Sequence, residues 1–329
     1  MAASLASDMK VYDEYAAGRT NELLAQFGDV FNAASGGAIR LITNSQRGNY
    51  TYESFFKNLG ATLAARRDNT SVGAQTDTAL TQDEHIKVKL SRKVKPVATT
   101  RDAFLKSFGS MSQTEFGDIL AEQVANIMQL EMVNTVLTAC RAALKQQTAS
   151  YITESSLGSV STNSLVSLLA GIGDRATRIK VFVMHSKVYY DLVRNQIGGN
   201  ITNVSDFNIV TATPITLNRP VIVTDSTALI ANLNSPDVNN YFTLGLVDGA
   251  IEIENSEEQY ITFQEITGLE NIVIRMQGEY TYTMGLKGFK WDVGNGGANP
   301  DSTALALGTN WDTHFTDVKD RSGIALMTL

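Results

Sequence analysis

Ser112-Gln-Thr-Glu-Phe-Gly-Asp-Ile-Leu-Ala-Glu-Gln-Val-Ala-Asn-Ile-Met-Gln-Leu-Glu-Met-Val-Asn-Thr-Val-Leu-Thr-Ala-Cys-Arg-Ala-Ala-Leu-Lys-Gln-Gln147 is the strongest periodic segment in the chain. Phe116, Leu120, Val124, Ile127, Leu130, Val133, Leu137, Cys140 and Leu144 step by three or four, which predicts one apolar stripe along an α-helix. Ser112-Gln-Thr-Glu115 matches a capping box, in which the serine oxygen and the glutamate satisfy amides left free by the first turn. At about 1.5 Å per residue the helix would be roughly 50 Å long, the span of a whole domain. No heptad charges mark it as a coiled coil.

The segments before it read differently. Met9, Tyr12, Tyr15, Leu23, Leu24, Phe27, Val30 and Phe31 recur at helical spacing up to Gly36-Gly37, which predicts an amphipathic arm. Asn44 to Gly48 reads as a turn, Tyr52 to Ala65 as a short helix, and Asp68 to Asp83 as a polar loop. In Ile86-Lys-Val-Lys-Leu90 apolar and basic residues alternate, and Val94 and Val97 extend the strand past Pro96, which places it at an edge. Residues 46–100 are therefore expected to form a long projecting hairpin.

After the Ser/Thr/Gly-rich break at 148–162 the chain alternates helix and strand. Asn163–Ala170 is predicted helical, Lys180–Met184 a buried strand, Lys187–Asn195 helical and Arg219–Thr224 a second strand. Tyr241–Leu246 and Ala250–Ile253 are expected to pair as a hairpin about Asp248-Gly249. Asn271–Ile274 and Gly278–Trp291 are again strand-like, followed by an Asn/Gly/Pro-rich tail with a short apolar end.

Composition narrows the function classes. With 43% hydrophobic residues the chain can bury a core, whereas 19% charged residues, thirty-three Thr and twenty-three Asn leave a largely neutral polar surface. Such a surface suits burial against partners. A net charge of −7 argues against holding nucleic acid by blanket phosphate neutralisation. The single cysteine allows no internal disulfide, no membrane-length apolar run occurs, and the N-terminal stretch lacks a signal-peptide pattern.

Catalytic patterns do not assemble. His85, His185 and His314 lie far apart in the sequence, and Cys140 falls on the apolar stripe as a structural thiol. Gly171-Ile-Gly173-Asp-Arg-Ala176 has dinucleotide-binding spacing but follows a helix and precedes a strand, the reverse of the required order. The oxygen-rich loop Asp292–Asp301 lacks the spacing of a calcium-binding loop. An enzyme with its site in the α/β region would have to use His185, Ser186 and Asp225. No cofactor or metal is expected. One charge feature stands out: Lys87, Lys89, Arg92, Lys93, Lys95, Arg101 and Lys106 against the single acid Asp102. It fits a solvated strand face that protects an edge, or a contact with an acidic neighbouring subunit; no aromatic residues are interleaved for stacking on bases.

Arm, basic hairpin, long capped helix, α/β region and late strand pair, in this order, resemble the major capsid protein of tailed bacteriophages, with its Hong Kong 97-like α+β fold. Lys87-Val-Lys-Leu-Ser-Arg-Lys-Val94 is similar to the return strand of that family's extended loop, and 112–147 to its spine helix. Val181-Phe-Val-Met-His-Ser-Lys-Val-Tyr-Tyr-Asp-Leu192 with Arg219-Pro-Val-Ile-Val-Thr-Asp-Ser226 is similar to its axial domain, and Asn299–Asp312 to its C-terminal region. The resemblance implies an N-terminal arm at 1–45, an extended loop at 46–100, and a peripheral domain at 101–150. It continues with an axial domain at 151–265 and return strands with a tail at 266–329. It implies a non-enzymatic shell protein that forms pentamers and hexamers of an icosahedral phage head around double-stranded DNA, bound without sequence specificity. Assembly in the host cytoplasm would involve a separate scaffolding protein, because the arm begins within ten residues of Met1, and also a portal and a decoration protein. The basic strand and the arm residues Tyr12, Tyr15 and Phe27 would carry the subunit contacts. A bacterial nanocompartment shell has the same fold and is the alternative. Lys57 and Asn69 do not align with the lysine–asparagine crosslink of some relatives, and none is expected.

Overall fold

The computed structural model describes residues 22, 26, 32–43, 47–57, 59, 63–70, 72–100, 102, 113–153, 159–201, 216–230, 240–255, 260–315 and 317–329. The arm residues Tyr12, Tyr15 and Phe27, the bases Arg101 and Lys106, and the cap residue Ser112 lie outside them.

The long periodic segment is one 34-residue helix, α1 (Gln113–Gln146). Its buried face differs from the expected stripe. Val124, Met128, Met132, Val136, Ala139 and Ala143 point inward, whereas Ile127 and Leu130 are 63% and 59% exposed. Three residues advance a helix by roughly 300°, so the row 124, 127, 130 slips about 60° per step off the core, and steps that include four correct the drift. Near its C-terminal end α1 is buried on most sides, with Leu137, Cys140, Ala142 and Leu144 also enclosed.

Two sheets flank α1. The larger is built on the 14-residue strand β10 (Val273–Leu286). Along one edge β10 pairs antiparallel with β3 (Gln82–Thr100). Along the other it pairs with β9 (Tyr260–Ile266) and then with β8 (Ile251–Asn255), which is parallel to β1 (Ile39–Thr43). β11 (Phe289–Trp291) and β12 (Trp311–Thr313) complete it, with Trp291 and Trp311 buried against each other at 4.9 Å. Pro96 sits where Lys95 and Pro96 together oppose Gln277, a bulge that tolerates its missing N–H.

The second sheet runs β4 (Tyr151–Thr153), β13 (Gly323–Thr328), β7 (Tyr241–Val247), β5 (Ile179–His185) and β6 (Val221–Thr224). Period-two alternation divides its residues. Phe182, Met184, Ile324 and Leu326 pack with α2 (Thr162–Ala170) and α3 (Ser186–Ile201), while Val181, Val183, Leu244 and Ala325 join the core around α1.

Two expectations are corrected. Tyr241–Val247 and Ile251–Asn255 do not pair with each other: β7 belongs to one sheet and β8 to the other, and the turn through Gly249 (φ +62°) carries the chain between them. The helix expected from Tyr52 does not begin there. Tyr50–Phe56 forms the strand β2, antiparallel to Gln82–Val88, as its β-branched and aromatic run favours. The apolar C-terminus supplies β13, which lies between β4 and β7 in the second sheet.

Candidate assembly surfaces and the hairpin base

β2 and the first part of β3 form the antiparallel stem of a hairpin. Every described residue from 63 to 82 is exposed, Leu63, Val72 and Leu80 included, and Tyr52 and Phe56 on the stem are more than half exposed.

The strand alternates as the sequence indicated, with Ile86, Val88 and Leu90 turned into the α1 core. The lysine face, however, is not solvated. Lys87 is 3% exposed, and its Nζ lies 2.8 Å from Glu53 Oε1 on β2, 3.0 Å from Glu252 Oε2 and 2.8 Å from Glu254 Oε1 on β8. Its stem passes over Gly285, where an added Cβ would come within 2.9 Å of Lys87 Cγ. Burial opposes the charge, but hydrogen bonds to Glu254, Glu53 and Glu252 outweigh it and hold the ammonium above the usual lysine range. Lys89 is likewise buried. Both had been expected in a subunit contact; the structure turns them inward.

Arg92 faces α1. Its Nε donates to Glu131 Oε1 at 2.9 Å, and Glu131 also accepts from Tyr280 Oη (3.1 Å), Tyr282 Oη (3.1 Å) and Thr135 Oγ1 (2.9 Å). Burial, and then the Glu131 charge, push both phenols above the ordinary tyrosine value. Of the described basic residues of the strand, Lys93, across from Glu279, and Lys95 at the bulge are the exposed ones.

On the same side as Lys87, a cleft of about 390 Å³ opens at the hairpin base. Arg40 pairs with Asp248 at 3.0 Å on its rim, and Lys287 donates to the Asp248 carbonyl. Inside, His85 and His314 lie with ring centroids 5.4 Å apart. Sequence separation hid this pair. It exists because β3 and the end of β12 are both carried by the larger sheet.

The candidates for an enzyme are committed elsewhere. His185 Nδ1 accepts the Lys187 amide at 3.2 Å at the start of α3, and its ring lies on Tyr241. Ser186 begins that helix, and Asp225 is exposed beyond β6. Cys140 is fully buried and its thiol is pushed up to about 12 by desolvation. Asp292 Oδ1 accepts the amides of Gly294 and Asn295, so the oxygen-rich loop is a capped turn. Among the described residues no three metal-capable side chains converge, and no helix is long and apolar enough to cross a membrane.

Residues 8–325 match the family model Gp13-like, major capsid protein 13-like. Among solved structures the chain is similar to the cyanophage Pam1 capsid asymmetric unit, at 9% identity over 88% of each chain with a TM-score of 0.54. It is also similar to the capsid of Ralstonia phage GP4, at 11% identity over 89% of this chain and 87% of that one, with a TM-score of 0.54. A third likeness is to the head of Helicobacter pylori bacteriophage KHP40, at 9% identity over 88% of each chain with a TM-score of 0.52. No curated protein sequence matches.

Proposed function

The chain belongs to the Gp13-like family of major capsid proteins and is a shell-forming subunit of a phage head; from that premise we propose how it builds the shell. Subunits join as pentamers and hexamers through the projecting hairpin, and the closed icosahedral shell encloses double-stranded DNA without reading its sequence. The observation that carries this is the connector 57–81, in which Leu63, Val72 and Leu80 are more than half exposed. Each such contact is modest, and many of them sum by avidity around a ring. Lys93 and Lys95 are the basic residues of the strand placed to meet an acidic neighbour. Tyr12, Tyr15 and Phe27 are the arm positions proposed to reach under another subunit, with Arg101 and Lys106 beside the basic strand.

The second sheet with α2 and α3 would form the axial domain, and α1 with the larger sheet the peripheral one. A separate scaffolding protein would set the curvature, since a heterologous contact closes only at the right angle. Portal and decoration proteins would join the shell, which is assembled in the host cytoplasm and ends in the virion.

Replacing residues 57–81 by a short Gly-Ser linker tests the proposal. β2 and β3 remain, so the subunit is expected to fold. It should fail to form the megadalton particles that the intact chain forms, with scaffold if needed, by light scattering. Normal particles from the deletion would overturn the role given to the hairpin.

A further inference from the structure

The hairpin stem is held to the C-terminal part of the chain by a cluster of four rings. His85 of β3 and His314, the residue after β12, meet edge to face at 86°. Phe55 of β2 lies 5.1 Å from His314 and 5.6 Å from Phe315, and Phe315 lies 5.0 Å from His314. One ring nitrogen of His314, Nδ1, is buried with no hydrogen-bond partner. The His85 ring, by contrast, is hydrogen-bonded to the backbone at Phe289.

The charges around the pair come from every strand packed on it. β3 brings Lys87 and Asp83, β2 brings Glu53 with Lys57 just beyond its end, β8 brings Glu252, and β11 brings Lys290. Most of these are already matched. Glu53 and Glu252 hold Lys87, and Asp83 lies 3.1 Å from Lys57 and 3.4 Å from Lys290. A proton on His314 would therefore add a cation among aromatic edges, beside a second imidazole and two lysines, with Asp83, the carboxylate whose charge acts on it, already engaged.

We propose that the His85–His314 contact is an acid-sensitive latch: neutral, it holds the hairpin stem against residues 311–315, and protonated, it releases the stem while the second sheet and the β8–β10 part of the larger one persist. Burial, and then the neighbouring His85, push His314 down to about 4, and burial with the Lys87 charge lowers His85 as well. A released histidine titrates near about 6.5. The latch is thus at full strength above about 6.5, weakens as pH falls from there toward the folded value, and changes no further below it. The latch concerns the stem of a single subunit and holds whichever neighbour the connector reaches.

Amide hydrogen exchange on the full-length subunit, corrected for intrinsic rates, tests this. Between about pH 7 and about pH 4.5, protection in 50–56 and 82–88 should fall about tenfold or more, while β5 and β7 keep theirs. His314→Phe fills the same aromatic niche without titrating, and His85→Gln keeps a donor for the Phe289 carbonyl. His314→Phe should hold stem protection at the lower pH near its neutral value, whereas His85→Gln, which leaves His314 buried and titratable, should retain most of the acid loss. Loss of protection in His314→Phe equal to the parent's is the outcome that removes His314 from the latch. That outcome, equal loss across both sheets, or a His314 ring titrating near about 6.5 by NMR would overturn the latch.

Discussion

Lys87 Nζ lies 2.8 Å from Glu254 Oε1 across 167 residues of sequence, and both side chains are almost wholly buried. The pair ties the hairpin strand β3 to β8, the strand the chain enters directly on leaving the second sheet. With Glu53 it also fixes β2, so one ammonium joins three strands. The charge that looked available for a neighbour instead holds the hairpin stem to β8.

Lys87→Met keeps the bulk of the side chain and leaves Glu53, Glu252 and Glu254 facing one another. Losing one partner of a buried ion pair costs about 3–5 kcal/mol. Denaturant unfolding at neutral pH is expected to show a loss of that size, shrinking as pH falls through the carboxylate range and the repulsion is relieved. A loss under about 1 kcal/mol, typical of solvated pairs, would contradict the buried geometry.

Glu131 connects α1 to the larger sheet through Arg92, Tyr280 and Tyr282. Glu131→Ala strands those donors and is expected to cost about 3 kcal/mol, with Glu131→Gln, which retains one acceptor oxygen, costing less. Spectroscopic titration of the phenols adds an independent readout. Without the carboxylate charge the ionisation of Tyr280 and Tyr282 should move down, while burial still keeps it above that of a free tyrosine.

Cys140 makes a third expectation. A thiol fully buried and pushed up to about 12 supplies almost no thiolate at neutral pH. A disulfide reagent should modify the native protein at a rate set by unfolding and the denatured protein at once. Rapid modification without loss of structure would mean that the end of α1 opens far more readily than its packing allows.

What the sequence made legible follows from how local each signal was. α1, α2, α3, β5 and β6 came from periodicities within single segments, and the helix-to-strand turn at 171–176 from the order of its neighbours. β2 was misread because Tyr52–Ala65 carries apolar spacing compatible with either structure, and only the register with Gln82–Val88 decides it. The β7/β8 separation is also non-local: Asp248-Gly249 turns the chain in either topology, and the partners of β8 are β1 and β10. The same holds for the site. That Lys87 and Lys89 would be charged and opposite the core face was visible, but the covering of Lys87 depended on Glu252 and Glu254, more than 160 residues away. His85 and His314 stayed apart for the same reason.

Ile127 and Leu130 give the last expectation, and they separate folding from assembly. Both lie on α1 with more than half of their surface exposed, and no described segment of the subunit covers them. Ile127→Gln with Leu130→Gln keeps good helix formers at surface positions, so the folded subunit should change by no more than about 0.5 kcal/mol per site. If this face is buried between subunits in the shell, the double variant loses apolar contact at every copy, and the small loss per contact multiplies around the ring. Unfolding midpoints should then match the parent while particle yield or particle stability to denaturant falls. Parental particles would make the face solvent in the shell, and a large drop in the subunit's own stability would place a covering segment of the same chain over it.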